Sequence, residues 1–224
     1  MKEVPNEKFL ILETSTPQGG LALFDGDSLL QSWEFEARRG HNAALFAPLE
    51  ESRQWCLRQD FHLDRIIVGL GPGSYTGIRI GIAAGQALAM AWDLPLSGLS
   101  SFLGINSDGH RSYTVSGDAR RGLRFKARIE EGVLITPIEI IPAEEWADPD
   151  DAAEQETSFT LDHPPFSPLL MPRQPRVALL GKASHSQARQ GTLTTGPTLE
   201  PLYLLGPHIT KSQKKPPFRN EMKD

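Results

Sequence analysis

Cysteine is nearly absent: Cys56 is the only one in 224 residues, which excludes an internal disulfide and a cysteine-built zinc cage. Excess positive charge is missing too. With 23 Lys and Arg against 28 Asp and Glu, the formal net charge is -5. A protein that holds nucleic acid by bulk electrostatics needs a cationic footprint to displace counterions, so only a local basic patch stays open. Long hydrophobic runs are lacking as well. The stretch from Ile80 to Trp92 is interrupted by Gln86 and falls short of the roughly 20 residues that span a bilayer. Phe9 to Leu12 is apolar only until Glu13, too short for the centre of an export signal, so a cytoplasmic protein is expected.

A chain of this length fits one large domain or two small related lobes, and buries enough surface to fold without staples. The opening reads as an antiparallel meander: Phe9 to Ser15, Gly19 to Phe24 after Pro17, and Ser28 to Phe35 after the Asp25-Gly26-Asp27 turn. Asn42 to Arg58 places Leu45, Leu49, Cys56 and Leu57 at mostly helical spacing, with Pro48 near the start. Ile66 to Leu70 is β-branched and continuous, as in a strand buried on both faces. Thr76 to Ala91 is proline-free and alanine-rich, which predicts a helix ended by Pro95, and Leu96 to Leu99 reads as a further strand. Tyr113 to Ser116, Leu123 to Ile129 and Val133 to Ile141 predict three more strands, a weaker repeat of the first meander. Ala143 to Thr157 holds seven acids and no base, a solvated connection or helix face. The tail from Lys211, with Lys214 and Lys215 before two prolines, reads as a flexible end.

The stretch Gly71-Pro72-Gly73-Ser74-Tyr75-Thr76-Gly77-Ile78-Arg79-Ile80-Gly81 follows a buried strand and opens a helix. Glycines there permit close backbone approach, and a helix amino terminus suits an anion. Gly71, Gly73, Ser74 and Thr76 are therefore candidates for a nucleotide phosphate. The stretch matches neither the dinucleotide fingerprint nor a P-loop, and a tight turn with Ser74 or Thr76 capping the helix is the alternative. Within the helix, Gly77, Gly81 and Gly85 recur every four residues, with Ala84 and Ala89 nearby. Each glycine costs about 1 kcal/mol relative to alanine, so another backbone should approach that stripe. The sheet beneath or a partner's helix would serve equally.

Together with Ile11 to Thr16, Arg39-Gly40-His41, the Asp118-Ala119-Arg120-Arg121-Gly122 turn and Pro201-Leu202-Tyr203-Leu204, this stretch resembles the bacterial TsaB family, most clearly over residues 9 to 130. The resemblance implies an α/β fold of the actin-like ATPase superfamily, with two RNase-H-like lobes of which the second is reduced. It divides the chain into 1–105, carrying partner-binding helices, a reduced lobe over 106–210 and a tail over 211–224. It also implies a non-catalytic subunit that binds TsaD, which transfers a threonylcarbamoyl group to an adenosine of certain tRNAs, with TsaE as a third component. The chain alone would bind no cofactor, any ATP or ADP would sit at the joint with TsaD, and tRNA would be met only indirectly. His41, Leu45, Leu49, Gly77, Ile80, Gly81, Ala84, Gly85 and Leu88 become the expected partner interface, which a homodimer could use instead.

The residues bear on catalysis independently. The catalytic relative carries two metal-binding histidines four apart on its first long helix, whereas here His41 is followed four residues on by Leu45. His62, His110, His163, His185 and His208 are scattered, so no metal site is expected. His41 reads as a helix-start residue or a partner contact. At the end of the first strand Glu13 stands where the family usually has Asp, and an extra methylene displaces a positioned catalytic acid by more than about 1 Å. No serine, histidine and acid set can be assembled. The competing function is an ATP-hydrolysing enzyme of the same superfamily with Gly71 to Gly77 on the phosphates.

Overall fold

The computed structural model describes residues 6–37, 41–147 and 157–206, with the side chains of 41–43 excepted. The expected tail and Arg39-Gly40 lie outside these residues, as does most of the acidic stretch. In chain order the strands and helices are β1 (Lys8–Glu13), β2 (Gln18–Asp25), β3 (Ser28–Glu36), α1 (His41–Gln59), β4 (Arg65–Gly69), α2 (Tyr75–Trp92) and β5 (Leu96–Leu99). There follow β6 (Ser112–Arg120), β7 (Leu123–Glu130), β8 (Val133–Leu134), β9 (Glu139–Pro142), β10 (Ser158–Thr160), β11 (Met171–Pro172), α3 (Val177–Gln190) and β12 (Thr194–Thr195).

These strands form two sheets of one plan. In the first, β3, β2 and β1 are an antiparallel meander, and β4 and β5 continue it in parallel on the far side of β1. In the second, β9, β7 and β6 repeat the meander, and β10 and β11 continue it in parallel beyond β6. The first sheet carries α1 between β3 and β4 and α2 between β4 and β5, whereas β10 reaches β11 without a helix. This is a mixed α/β fold of two sheets built on one plan, the second with fewer helices. No described helix is long and apolar enough to cross a membrane.

Alternation along β1 sets the layers, because successive side chains of a strand point to opposite faces. Leu10 and Leu12 join Ile66, Val68, Ile78, Ile82 and Leu45 in a core under α1 and α2. Phe9 and Ile11 join Phe24, Ile67, Phe102, Val115, Phe125, Phe159 and Leu180 in a second core, which holds the two sheets together around α3. The helix α3 thus packs against β1, β2 and β3 although it lies beyond residue 106, and β12 pairs with β5. The last third of the chain returns to the first sheet.

One expectation needs correction. The predicted strand from Val133 to Ile141 is split into β8 and β9, both paired with β7; Pro137 lies between them, and a residue without an N–H cannot serve a continuous ladder. The apolar run at Val177 is the start of a helix, and its inward face, Val177, Leu180, Gly181, Ser184 and Gln187, has the helical period.

The glycine stripe of α2 also has its answer here. Gly77, Gly81 and Gly85 are buried and face the chain's own sheet. A methyl at Gly81 would overlap Thr14 Oγ1, and one at Gly85 would lie 2.5 Å from Val68 Cγ1. Val68 is wholly buried and β-branched, so it has no rotamer to retreat into. Gly85→Ala should therefore destabilise the fold by about 1–3 kcal/mol despite alanine's better helix propensity. Urea denaturation should show a lowered midpoint; an unchanged or raised one would mean that the helix can lift off the sheet freely.

Candidate functional site

The two adjoining regions that bear on function are the seam where α2 begins and the outer faces of α1 and α2. At the seam, β1 delivers Glu13, Thr14 and Ser15 into the interior, all essentially inaccessible. Thr14 Oγ1 donates to the Gly77 carbonyl at 2.8 Å. The Ser74 N–H donates to the Ser15 carbonyl at 2.6 Å, and a side chain at Gly73 would overlap that same carbonyl. Ser74 caps α2, its hydroxyl accepting from the Gly77 N–H at 3.2 Å. The N–H of Gly71, a residue with φ +86, donates to Ser101 Oγ at 3.0 Å. Its carbonyl accepts from the Ser101 N–H and the Ser100 hydroxyl.

Of the four phosphate candidates, Gly71 and Ser74 thus use their N–H groups inside the chain, Gly73 makes room for Ser15, and Thr76 is exposed. Ser74, not Thr76, is the cap. The loop forms a seam between β1 and α2, with the Gly71 and Ser74 N–H groups committed inside the chain.

Glu13 lies beneath this seam. Ser15 N–H donates to its Oε1 at 2.5 Å, while Oε2 rests over Gly69, where any side chain would overlap it. Neither Oε2 nor the Ser15 hydroxyl has a well-formed hydrogen bond. Desolvation pushes the carboxyl above its ordinary value of 4.5, against the opposing influence of Ser101 and Ser15. No cation faces it, and no group of three or more metal-ligating side chains exists among the described residues.

The α2 surface that points away from the sheet is apolar. Ala83, Ala87, Met90 and Ala91 are exposed, with Met90 at 85%, and from Ile80 to Trp92 the only polar side chain is Gln86. Alongside it on the same side of the sheet, α1 exposes Phe46 at 70% and Leu57 at 64%. Of the expected interface, Ile80, Ala84, Leu88 and Leu49 are half-buried at the margin of this face. Leu45, Gly77, Gly81 and Gly85 are interior, because they pack α1 and α2 onto the sheet, and the His41 side chain lies outside the described residues. Phe46 and Met90 were not among the expected residues. Their signal was available: each is a large apolar side chain on the face opposite the buried stripe of its helix.

At the amino end of α2 the face ends in Tyr75, Arg79 and Tyr203, the last brought there by Leu202, whose N–H donates to the Leu70 carbonyl at 2.8 Å. The two rings stack with centroids 5.3 Å apart.

Because Glu13 has a raised pKa in the folded state, its ionisation opposes folding. Stability should fall as pH rises from about the unfolded value of 4.5 to the folded one, and stay level above it. Glu13→Gln, which keeps the shape and removes the ionisation, should gain stability relative to the native chain across that window. Urea titrations at pH 4 and pH 7 check this; a relative loss on going to pH 7 would show that the carboxylate is the favoured form.

Comparison with known proteins agrees with this geometry. Residues 36–128 match the family model described as TsaD, tRNA N6-adenosine threonylcarbamoyltransferase. Three curated proteins named tRNA threonylcarbamoyladenosine biosynthesis protein TsaB are similar. The one from Bacillus subtilis is 28% identical over 61% of this chain and 63% of its own length. That from Haemophilus influenzae is 29% identical over 67% and 68%, and that from Escherichia coli 26% over 56% and 58%. The matches to the Bacillus and Escherichia proteins therefore leave more than a third of those relatives uncovered. YeaZ from Pseudomonas aeruginosa, at 24% identity, superposes over 88% of this chain and all of its own with a TM-score of 0.68, a likeness of fold. In its motifs, its fold and these relatives alike, the chain is similar to proteins of the TsaB family.

Proposed function

We propose that this chain acts in tRNA threonylcarbamoyladenosine biosynthesis as a non-catalytic docking subunit for a TsaD-type threonylcarbamoyltransferase. The observation that carries the reading is the exposed apolar face of α2, with Met90 and the three alanines beside Phe46 and Leu57 of α1. Exposed apolar surface on neighbouring helices suits an interaction site, and small side chains let a second helix approach closely. The seam supports the same reading from the other side. Loop groups that would hold phosphates in an ATPase instead join β1 to α2, and the only acid there is enclosed.

In this picture residues 1–105 carry the docking helices, and 106–210 complete the core that holds them in place. A nucleotide would bind at the joint with the partner, TsaE would join the assembly, and tRNA would be met through the partner, in keeping with a net charge of -5. A homodimer through the same face would compete with the hetero-complex, since one surface cannot serve both.

Met90→Asp places a charge on the face without touching either core. It should weaken binding to the TsaD-type partner from the same organism by at least about tenfold, or 1.4 kcal/mol, with an unchanged melting temperature. Calorimetric titration of the two purified proteins gives the affinity, and unaltered binding would exclude this face. The competing ATPase reading requires nucleotide turnover by the isolated chain that Glu13→Ala abolishes; such turnover would displace the docking proposal.

A further inference from the structure

Arg79 is exposed, yet it is held in place. Its Nη1–H donates to the Tyr75 hydroxyl at 2.9 Å, and the nearby Tyr203 hydroxyl also favours its charged form. Its guanidinium carbon stands 5.3 Å from the centroid of the Tyr75 ring, and that ring is stacked on Tyr203. Three residues from two distant parts of the chain thus fix the direction of one cation. Among the described residues it is the two tyrosines, and no carboxylate, that raise its pKa. A long side chain on a surface normally gives up rotamer entropy when it is ordered, and here that ordering precedes any partner.

Its position is as informative as its restraint. Arg79, Ala83, Ala87 and Met90 follow one another at helical spacing along the exposed side of α2. The cation therefore stands at one end of the apolar face, in the same line. Arg and Tyr, with Trp, are enriched among the residues that dominate interface energetics once a partner has desolvated them, and a guanidinium offers a planar fork that matches a carboxylate.

We infer that the Tyr75–Arg79–Tyr203 cluster is a preset anchor that receives a carboxylate of the partner protein and thereby fixes the register in which the partner's helix lies along α2. This rests on the docking reading above. A protein carboxylate, rather than an RNA phosphate, is favoured because the cluster continues directly into uncharged apolar surface and the chain as a whole is acidic. Tyr203 makes the segment after β12 part of the anchor, so the end of the described chain contributes to a surface otherwise built from α2.

The test uses the full-length chain and the TsaD-type partner from the same organism, titrated at low and high salt, with Met90→Asp as the reference for the face itself. Arg79→Ala should weaken binding about tenfold at low salt and flatten its salt dependence. Arg79→Lys, which keeps the charge and loses the fork, should recover only part of the affinity. Tyr203→Leu should weaken binding with the melting temperature unchanged, through loss of the restraint. If Met90→Asp disrupts the complex while Arg79→Ala binds like the native chain, the docking face stands and the anchor is wrong. Should neither variant alter the affinity, or the native proteins fail to associate, the docking reading itself fails and the anchor with it. A filter-binding assay with tRNA supplies the remaining arm: loss of tRNA retention by Arg79→Ala without loss of partner affinity would assign the cation to phosphate and overturn the inference.

Discussion

The contact between the end of β1 and the start of α2 is the constraint on which the rest of this structure depends. Two hydrogen bonds run across it, from the Thr14 hydroxyl to the Gly77 carbonyl and from the Ser74 N–H to the Ser15 carbonyl. They depend on Gly73 and Gly81, which carry no side chain where the two segments meet. Unpaired buried polar groups are penalised by about 1–3 kcal/mol each, so the closeness of these backbones and the pairing of their polar groups are one requirement. It has two consequences. The helix α2 is clamped with its glycine stripe inward, and its alanines and Met90 are left facing out.

The same clamp decides where two of the loop's N–H groups point. A phosphate cradle needs backbone N–H groups aimed at an empty space. In this chain Gly71 and Ser74 aim theirs at Ser101 and Ser15, and Glu13 is sealed beneath them in surroundings that favour its neutral form. A loop with the composition of a nucleotide site has thereby become a structural joint. The feature left available is the surface of the helix that the joint positions, bordered at its amino end by an arginine beside two stacked tyrosines.

The fold was largely legible beforehand, because it rests on local signals. Alternation in the first meander, the β-branched run at Ile66 and the proline-free alanine-rich helix placed every element of the first sheet up to β5 to within about two residues. The duplicated plan was visible only as a pattern. The second sheet is made of shorter strands, one interrupted at Pro137, and its identity with the first lies in the order and direction of pairing, which no residue pattern encodes. The helix α3 escaped notice because its polar half, from Lys182 to Gln190, hides a buried stripe that begins in only four apolar residues.

For the candidate surface the division is sharper. By itself the sequence determined that α2 would be a helix with one face of glycine and another of small apolar residues, since both stripes follow from the 3.6-residue period. It left undecided which stripe would meet the sheet, because close approach to the chain's own strands and to a partner's helix require the same residue type. Tertiary structure decided that, by setting Thr14 and Val68 against Gly81 and Gly85. It also decided what no spacing could reveal, that Tyr203 would return more than a hundred positions along the chain to lie on Tyr75 beside Arg79. Periodicity fixes which residues share a face, and only the packing of distant segments determines what that face meets.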